Sequence, residues 1–406
     1  MILSFGLILL VGFTVGWILN KIRIPGLVGM IIVGLVFGPY CLNFIDSSIL
    51  DISSELRQIA LVVILTRSGL NLNLKKLLSV GIPALLMSFI PASFEIIGTM
   101  LGAHYLLNLS WIESLLLGSV LGAVSPAVVS PRMIKLIEDK RGEKHAIPEI
   151  ILAGASVDDI YTITLFYTFL GIVQNNKTDF VSIALVPVSI ILGVALGIIC
   201  GIVLLYMFRK AHIPLVAKVL ILLSVSFLMI GLENVMKPWI SISSLLGVMV
   251  IGMVLALKSK ETAEELSNGY QKLWAFFEIL LFVLVGAAVD FRLITSTGWQ
   301  AIVVLCIGLL FRGIGVILCM LFAKATWKER LFAVCAYLPK ATVQASIGGI
   351  ALSYGLDCGN IIILVSVLAI VITAPIGAFL IDILGNKWLI KATDNTNSDS
   401  NKQAMP

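Results

Sequence analysis

Apolar runs of about 20 residues recur from one end of this 406-residue chain to the other, each long enough to cross about 30 Å of hydrocarbon as a helix. Lipid satisfies no backbone group, so such runs cross as α-helices, which close their hydrogen bonds within themselves. A soluble domain of this length needs a charged surface, and the chain offers only 13% charged residues against 59% hydrophobic. The expected class is an all-α polytopic membrane protein.

Thirteen spans are expected, centred on 2–20, 26–42, 53–71, 82–106, 112–131, 147–173, 180–208, 213–235, 240–257, 273–289, 297–323, 330–353 and 359–385. Proline suits a first helical turn, so Pro25, Pro83 and Pro214 fit loop-to-helix entries. The polar stretch 393–406, rich in Asn, Ser and Asp, is expected to be a disordered cytoplasmic tail. Basic residues test the count. One set of alternate loops collects nearly all of them, from Lys21 and Arg23 through the Arg132–Lys144 cluster to Lys387 and Lys391. The other set has only Arg57, Lys177, Lys237 and Arg292. A single wrong span would scramble that bias, so the amino terminus is expected outside and the carboxyl terminus in the cytoplasm.

The net charge of +5 is thus a topology signal, and no nucleic-acid partner is expected. The six cysteines form no CxxC or Cys/His cluster, and Met1–Leu19 lacks the basic n-region of a signal peptide. No P-loop occurs, so no ATP-driven step and no cofactor are expected, and the chain is not read as an enzyme.

Two spans carry breaks. Span 5 contains "AVSPAVVSP", with Pro126 and Pro131; span 12 contains "YLPKATVQASIGG", with Pro339, Lys340, Gln344 and Gly348-Gly349. Proline removes a backbone donor and clashes with the preceding turn, so both segments are expected to unwind within the membrane. Each follows a span with an embedded charge, Glu95 before span 5 and Arg312 before span 12. Seven spans separate the two, which gives them opposite orientations. Spans 1–6 and 8–13 therefore read as an inverted repeat joined by span 7, with a substrate site where the broken helices meet.

The embedded ionisable residues are Glu95, Asp158, Asp159, Glu278, Arg312 and Lys340. Each costs roughly 2.5–3.5 kcal/mol even on a lenient insertion scale, so each needs a partner or water. Adjacent helical positions point about 100° apart, so Asp158 and Asp159 do not easily share one partner. One is expected to pair with a protein cation and the other to face a cavity. A carboxylate is a fitting ligand for Na⁺ or Li⁺ and an acceptor for H⁺, and it holds one or the other. Ser156, Thr162, Ser125, Ser130 and Thr342 are candidate oxygen ligands, although such hydroxyls commonly bond back to their own helix. Glu95 and Arg312 read as a structural ion pair. Lys340 either neutralises Asp158 or itself moves a proton. Glu278 reads as structural or vestibule-lining, and His104, His145 and His212 as solvated loop residues.

"LGAVSPAVVSPRM", "AGASVDDIYTITLFYTFLGI" and "YLPKATVQASIGGIAL", in this order, resemble the monovalent cation/proton antiporter superfamily, within the branch of NHA-type sodium/proton exchangers and their bacterial relatives. The resemblance runs from about residue 20 to 385. It implies a dimerisation domain (1–75 and 213–292), a transporting core (80–175 and 297–386) and a connecting span (178–210), in a homodimer with elevator-like alternating access. It also implies that Asp159 carries the cation or proton, with its neighbour Asp158 the second candidate cation- or proton-binding group. Arg312 fills the place where bacterial members carry a lysine partner for that neighbour, with Glu95 its implied partner. That leaves Asp158 without the usual partner and makes Lys340 the substitute. The expected activity is Na⁺(or Li⁺)/H⁺ antiport across the cytoplasmic membrane. The rivals are K⁺/H⁺ antiport or K⁺ efflux exchange and, from another class, a cation channel or membrane sensor.

Overall fold

The computed structural model describes residues 1–22, 24–71, 80–174, 180–211, 213–236, 242–290 and 292–391, with the side chains of 180–187 and 234 left aside. The expected tail 393–406 and the loop residues Arg23, Lys75, Lys76, Lys177, His212 and Lys237 lie outside them.

The described chain is helical almost throughout. In order come α1 (Ile2–Lys21), α2 (Gly26–Phe37), α3 (Ser53–Asn71), α4 (Ile90–Leu106), α5 (Trp111–Leu121), α6 (Pro126–Glu138), α7 (Ile147–Gln174) and α8 (Phe180–Lys210). Then follow α9 (Leu215–Met236), α10 (Ser244–Lys258), α11 (Lys260–Ala287), α12 (Arg292–Leu321), α13 (Trp327–Ala336), α14 (Thr342–Ile347) and α15 (Gly359–Trp388). Short helices at Ser47–Asp51, Ile82–Met87 and Ile350–Ser353 sit between them. Among the described residues, nine helical segments are long and apolar enough to cross a bilayer. Two shorter apolar helices, α2 and α10, lie among them. The protein is a multi-pass membrane protein. Its outward faces agree: Leu10, Phe13, Ile199, Leu228 and Phe379 are exposed, as lipid contact requires.

α4 and α12 cross antiparallel at close range, because small residues line the crossing. A Cβ on Gly308 would stand 2.5 Å from Thr99 Oγ1, and one on Gly315 would stand 2.9 Å from Pro91 Cα. This contact brings Glu95 and Arg312, one turn from Thr99 and Gly308 respectively, to the same level.

The first break falls where a proline begins a helix, and the second holds its proline, Pro339, within the unwound segment. Residues 122–125 separate α5 from α6, and Pro126 opens α6. Pro131 does not extend the break as expected; it lies inside α6, whose helix runs on through it. Residues 337–341 separate α13 from α14. The unwound segments touch, Ser125 N donating to Pro339 O at 2.9 Å. Several basic residues assigned to loops lie on helices instead, among them Arg132 and Lys135 on α6. Arg57 is a buried residue of α3, 6% exposed. Arg67 also lies on α3, half-buried and electrostatically coupled to Glu278 of α11.

Candidate functional site

A helix ends with carbonyls that have no partner, and inside a membrane they need donors. At the carboxyl end of α5 those donors are side chains. Gln344 Nε2 donates to Val120 O (3.1 Å) and Ala123 O (2.9 Å). Lys340 Nζ donates to Leu121 O (2.6 Å) and Ala123 O (3.1 Å), and Arg312 Nη1 donates to Gly122 O (2.6 Å). Two cations at this end also complement the partial negative charge of the helix terminus. Gln344 serves the second break as well, because its Oε1 accepts from Ala341 N at 2.9 Å. Lys340 N donates to Thr373 Oγ1 of α15 at 2.9 Å, which anchors the unwound lysine.

The same cations hold two carboxylates. Glu95 Oε2 accepts from both Arg312 Nη1 and Lys340 Nζ, the latter at 2.6 Å. Asp158 Oδ2 accepts from Arg312 Nη2 at 2.8 Å and from Val124 N at 3.0 Å. All four side chains are buried. The pairing therefore differs from the sequence expectation. Arg312 bridges Glu95 and Asp158, and Lys340 pairs with Glu95; Lys340 is not the ion-pair partner of Asp158. Arginine's planar fork carries several donors, so one guanidinium reaches both carboxylates and a carbonyl together.

Asp159 stands apart. It is 4% exposed, and its carboxylate makes no hydrogen bond or ion pair among the described residues, with Oδ1 fully buried. Two cations and two carboxylates already balance around it, so a charged Asp159 has no fixed counter-ion.

The candidate hydroxyl ligands divide. Ser156 Oγ bonds back to Leu152 O at 2.7 Å, and Thr162 Oγ1 to Asp158 O at 3.0 Å and Asp159 O at 3.2 Å. Their lone pairs stay available, but their protons are spent on their own helix. Thr342 is buried at the start of α14, and Ser130 is half-buried on α6. Ser125 Oγ is buried with no partner, in the unwound segment whose Val124 N holds Asp158. It is the candidate with unspent bonding capacity at the break.

Sequence reasoning did not assign Gln344 or Thr373 to the site. The amide of Gln344 in an apolar run was a usable signal; a threonine in a long apolar helix such as α15 carried none. The expectation that His145 is solvated also fails. Its Nδ1 lies 3.0 Å from Glu329, whose carboxylate accepts from Thr326 N (2.7 Å) in a capping box that opens α13. Burial pushes the Glu329 carboxyl up, but Thr326 N–H, the His145 ring and the Thr326 hydroxyl outweigh it. They hold the group below its ordinary range.

Comparison with known proteins adds four findings. Residues 7–387 match the family described as sodium/hydrogen exchanger, transmembrane. Human sodium/hydrogen exchanger 9B2 is 35% identical over 366 residues, spanning 86% of this chain and 67% of that protein. Human sodium/hydrogen exchanger 9B1 is 32% identical over 409 residues, spanning 93% and 76%. Among solved structures, the sodium proton antiporter MjNhaP1 from Methanocaldococcus jannaschii at pH 8 superposes with a TM-score of 0.79 at 19% identity, over 95% of this chain and 98% of that one. That likeness is one of fold.

Proposed function

The chain belongs to the transmembrane sodium/hydrogen exchanger family, and on that footing we propose that it exchanges Na⁺ or Li⁺ for H⁺ by alternating access, with Asp159 as the group that binds either. The observation that carries this reading is the balance of charge. Glu95, Asp158, Arg312 and Lys340 neutralise one another, and Asp159 beside them is buried without a partner. A lone carboxylate out of water is stable only when neutralised, by a proton or by a small hard cation. It holds one at a time, which is the coupling an exchanger needs. Ser125 Oγ supplies a further cation ligand in this reading.

Because Arg312 binds Asp158 and does not give up its proton in the ordinary range, one carboxylate cycles and exchange is electroneutral, one H⁺ for one cation. The thirteen-span inverted repeat is supported by the contact of the two breaks and by the crossing of α4 and α12. We assign 1–75 and 213–292 to a dimerising scaffold and 80–175 and 297–386 to a core that moves against it. Segment 178–210 connects them. The amino terminus lies outside and the carboxyl terminus in the cytoplasm.

Reconstitution in proteoliposomes tests this. Asp159→Asn is expected to abolish Na⁺- and Li⁺-driven proton movement while the protein still elutes as a folded species. Retained exchange would sink the assignment. A K⁺ arm reads ion preference, and currents on a solid-supported membrane above those of empty liposomes would overturn electroneutrality.

A further inference from the structure

A cleft of about 630 Å³ opens between α1, α6 and α15, at the end of the bundle where α1 finishes. Its polar wall carries both signs of charge. Arg132 and Lys135 come from α6; Asp139 follows α6, and Asp382 comes from α15. Arg132 Nε and Asp382 Oδ1 stand 3.2 Å apart, whereas Lys135 and Asp139 have no ion-pair partner among the described residues. Two amides complete the rim. Asn20 Oδ1 accepts from Gly26 N at 2.8 Å, and Asn386 Nδ2 donates to Asp382 O at 2.8 Å.

Two apolar tracks lead away from this polar mouth. On α1, steps of three and four residues place Trp17, Phe13 and Leu10 on the face of Asn20; they are 51%, 57% and 68% exposed. On α15, Ile383, Phe379 and Ile376 share the face of Asn386 and are 44%, 62% and 50% exposed. Lys21 Nζ lies 3.6 Å from the Trp17 ring centroid, an aromatic and basic pair of the kind that marks the water boundary of a bilayer. The polar cleft thus sits at headgroup level, and the tracks run into the hydrocarbon.

We propose that this cleft binds one phospholipid with a primary-ammonium zwitterionic headgroup, of the phosphatidylethanolamine class, with its acyl chains along α1 and α15. The phosphate oxygens accept from Lys135 and Arg132. The ammonium, with three donors, meets Asp139 and Asp382. A phosphatidylcholine headgroup has no N–H to give those carboxylates. A phosphatidylglycerol headgroup offers those carboxylates neutral hydroxyls and no cation, so it offsets neither their charge nor that of its own phosphate. The mixed charge of the wall selects among the three.

The test is lipid retention by delipidated protein in detergent, read by native mass spectrometry and by melting midpoint. Phosphatidylethanolamine, phosphatidylcholine and phosphatidylglycerol of matched chains are added, with glycerophosphoethanolamine as the headgroup-only probe. Phosphatidylethanolamine is expected to stay bound and raise the melting midpoint, with the other two lipids and the soluble probe roughly tenfold weaker or more. Lys135→Gln with Asp139→Asn, both exposed positions, should weaken it by roughly tenfold while leaving the lipid-free midpoint unchanged. If that variant folds poorly, Ile383→Trp, which fills the start of one acyl track, should do the same. Equal retention of the three lipids, equal binding of the soluble probe, or unchanged retention in the folded variants would overturn the proposal. The readout is binding, so failure here leaves the exchange reading untouched.

Discussion

Replacing Glu95 by Gln keeps shape and removes one charge from a balanced set. In the native protein Glu95 Oε2 receives both Arg312 and Lys340. The amide leaves these two cations facing Asp158 alone, and breaking a buried pair in this way costs about 3–5 kcal/mol. That is roughly a hundredfold to a few thousandfold in the folded population. Adding Lys340→Met removes the surplus cation, at the expense of its bonds to Leu121 O and Ala123 O. Ala123 O keeps the 2.9 Å bond from Gln344, whereas Leu121 O retains only a 3.5 Å contact from it. One stranded carbonyl costs about 1–3 kcal/mol, less than the unbalanced charge. The double variant should therefore melt above Glu95→Gln alone in detergent, with a coupling of about 1–3 kcal/mol in a four-member cycle. A double variant that melts below both singles, with additive losses, would refute the reasoning. It would mean that Lys340 is held by the helix carbonyls and owes nothing to Glu95.

Other expectations follow from single contacts. Ser125→Ala removes a buried hydroxyl with no structural bond to lose, so the melting midpoint should hold while KM for the cation rises roughly tenfold; a changed midpoint with unchanged KM would remove Ser125 from the ligand set. Gln344→Leu strands Ala341 N and Val120 O at the two breaks and should destabilise by about 3 kcal/mol or more, read as a lower melting midpoint. Because the Glu329 carboxyl is held below its ordinary range, its contribution is fully present above about pH 4.3 and is lost as pH falls through the lower folded value. The gap in melting midpoint between wild type and Glu329→Gln should accordingly be open at pH 6 and narrow at more acidic pH, and a gap that widens in acid would reverse the sign.

Much of the molecule was legible before any coordinates, because the cost of a charge or a broken helix in lipid is local. Apolar runs announced the helices, "SPAVVSP" and "PKATVQA" announced two breaks, and five of the six ionisable residues in apolar sequence marked where chemistry had to be. Local sequence does not state how far each helix is rotated or how deep it sits, and those quantities choose partners. Only the close crossing of α4 and α12 puts Arg312 between Glu95 and Asp158, and only the contact of the two breaks delivers Lys340 to Glu95 and to the end of α5. The partner of Asp158 was misjudged for that reason: the candidate cations are more than 150 residues away in the chain. The position of the first break, before Pro126 and not at Pro131, is settled by the polar partners that packing supplies to the freed carbonyls of residues 120–123. The sequence alone determined which groups had to be neutralised. The tertiary structure decided which of them neutralise one another, and so which carboxylate, Asp159, is left over.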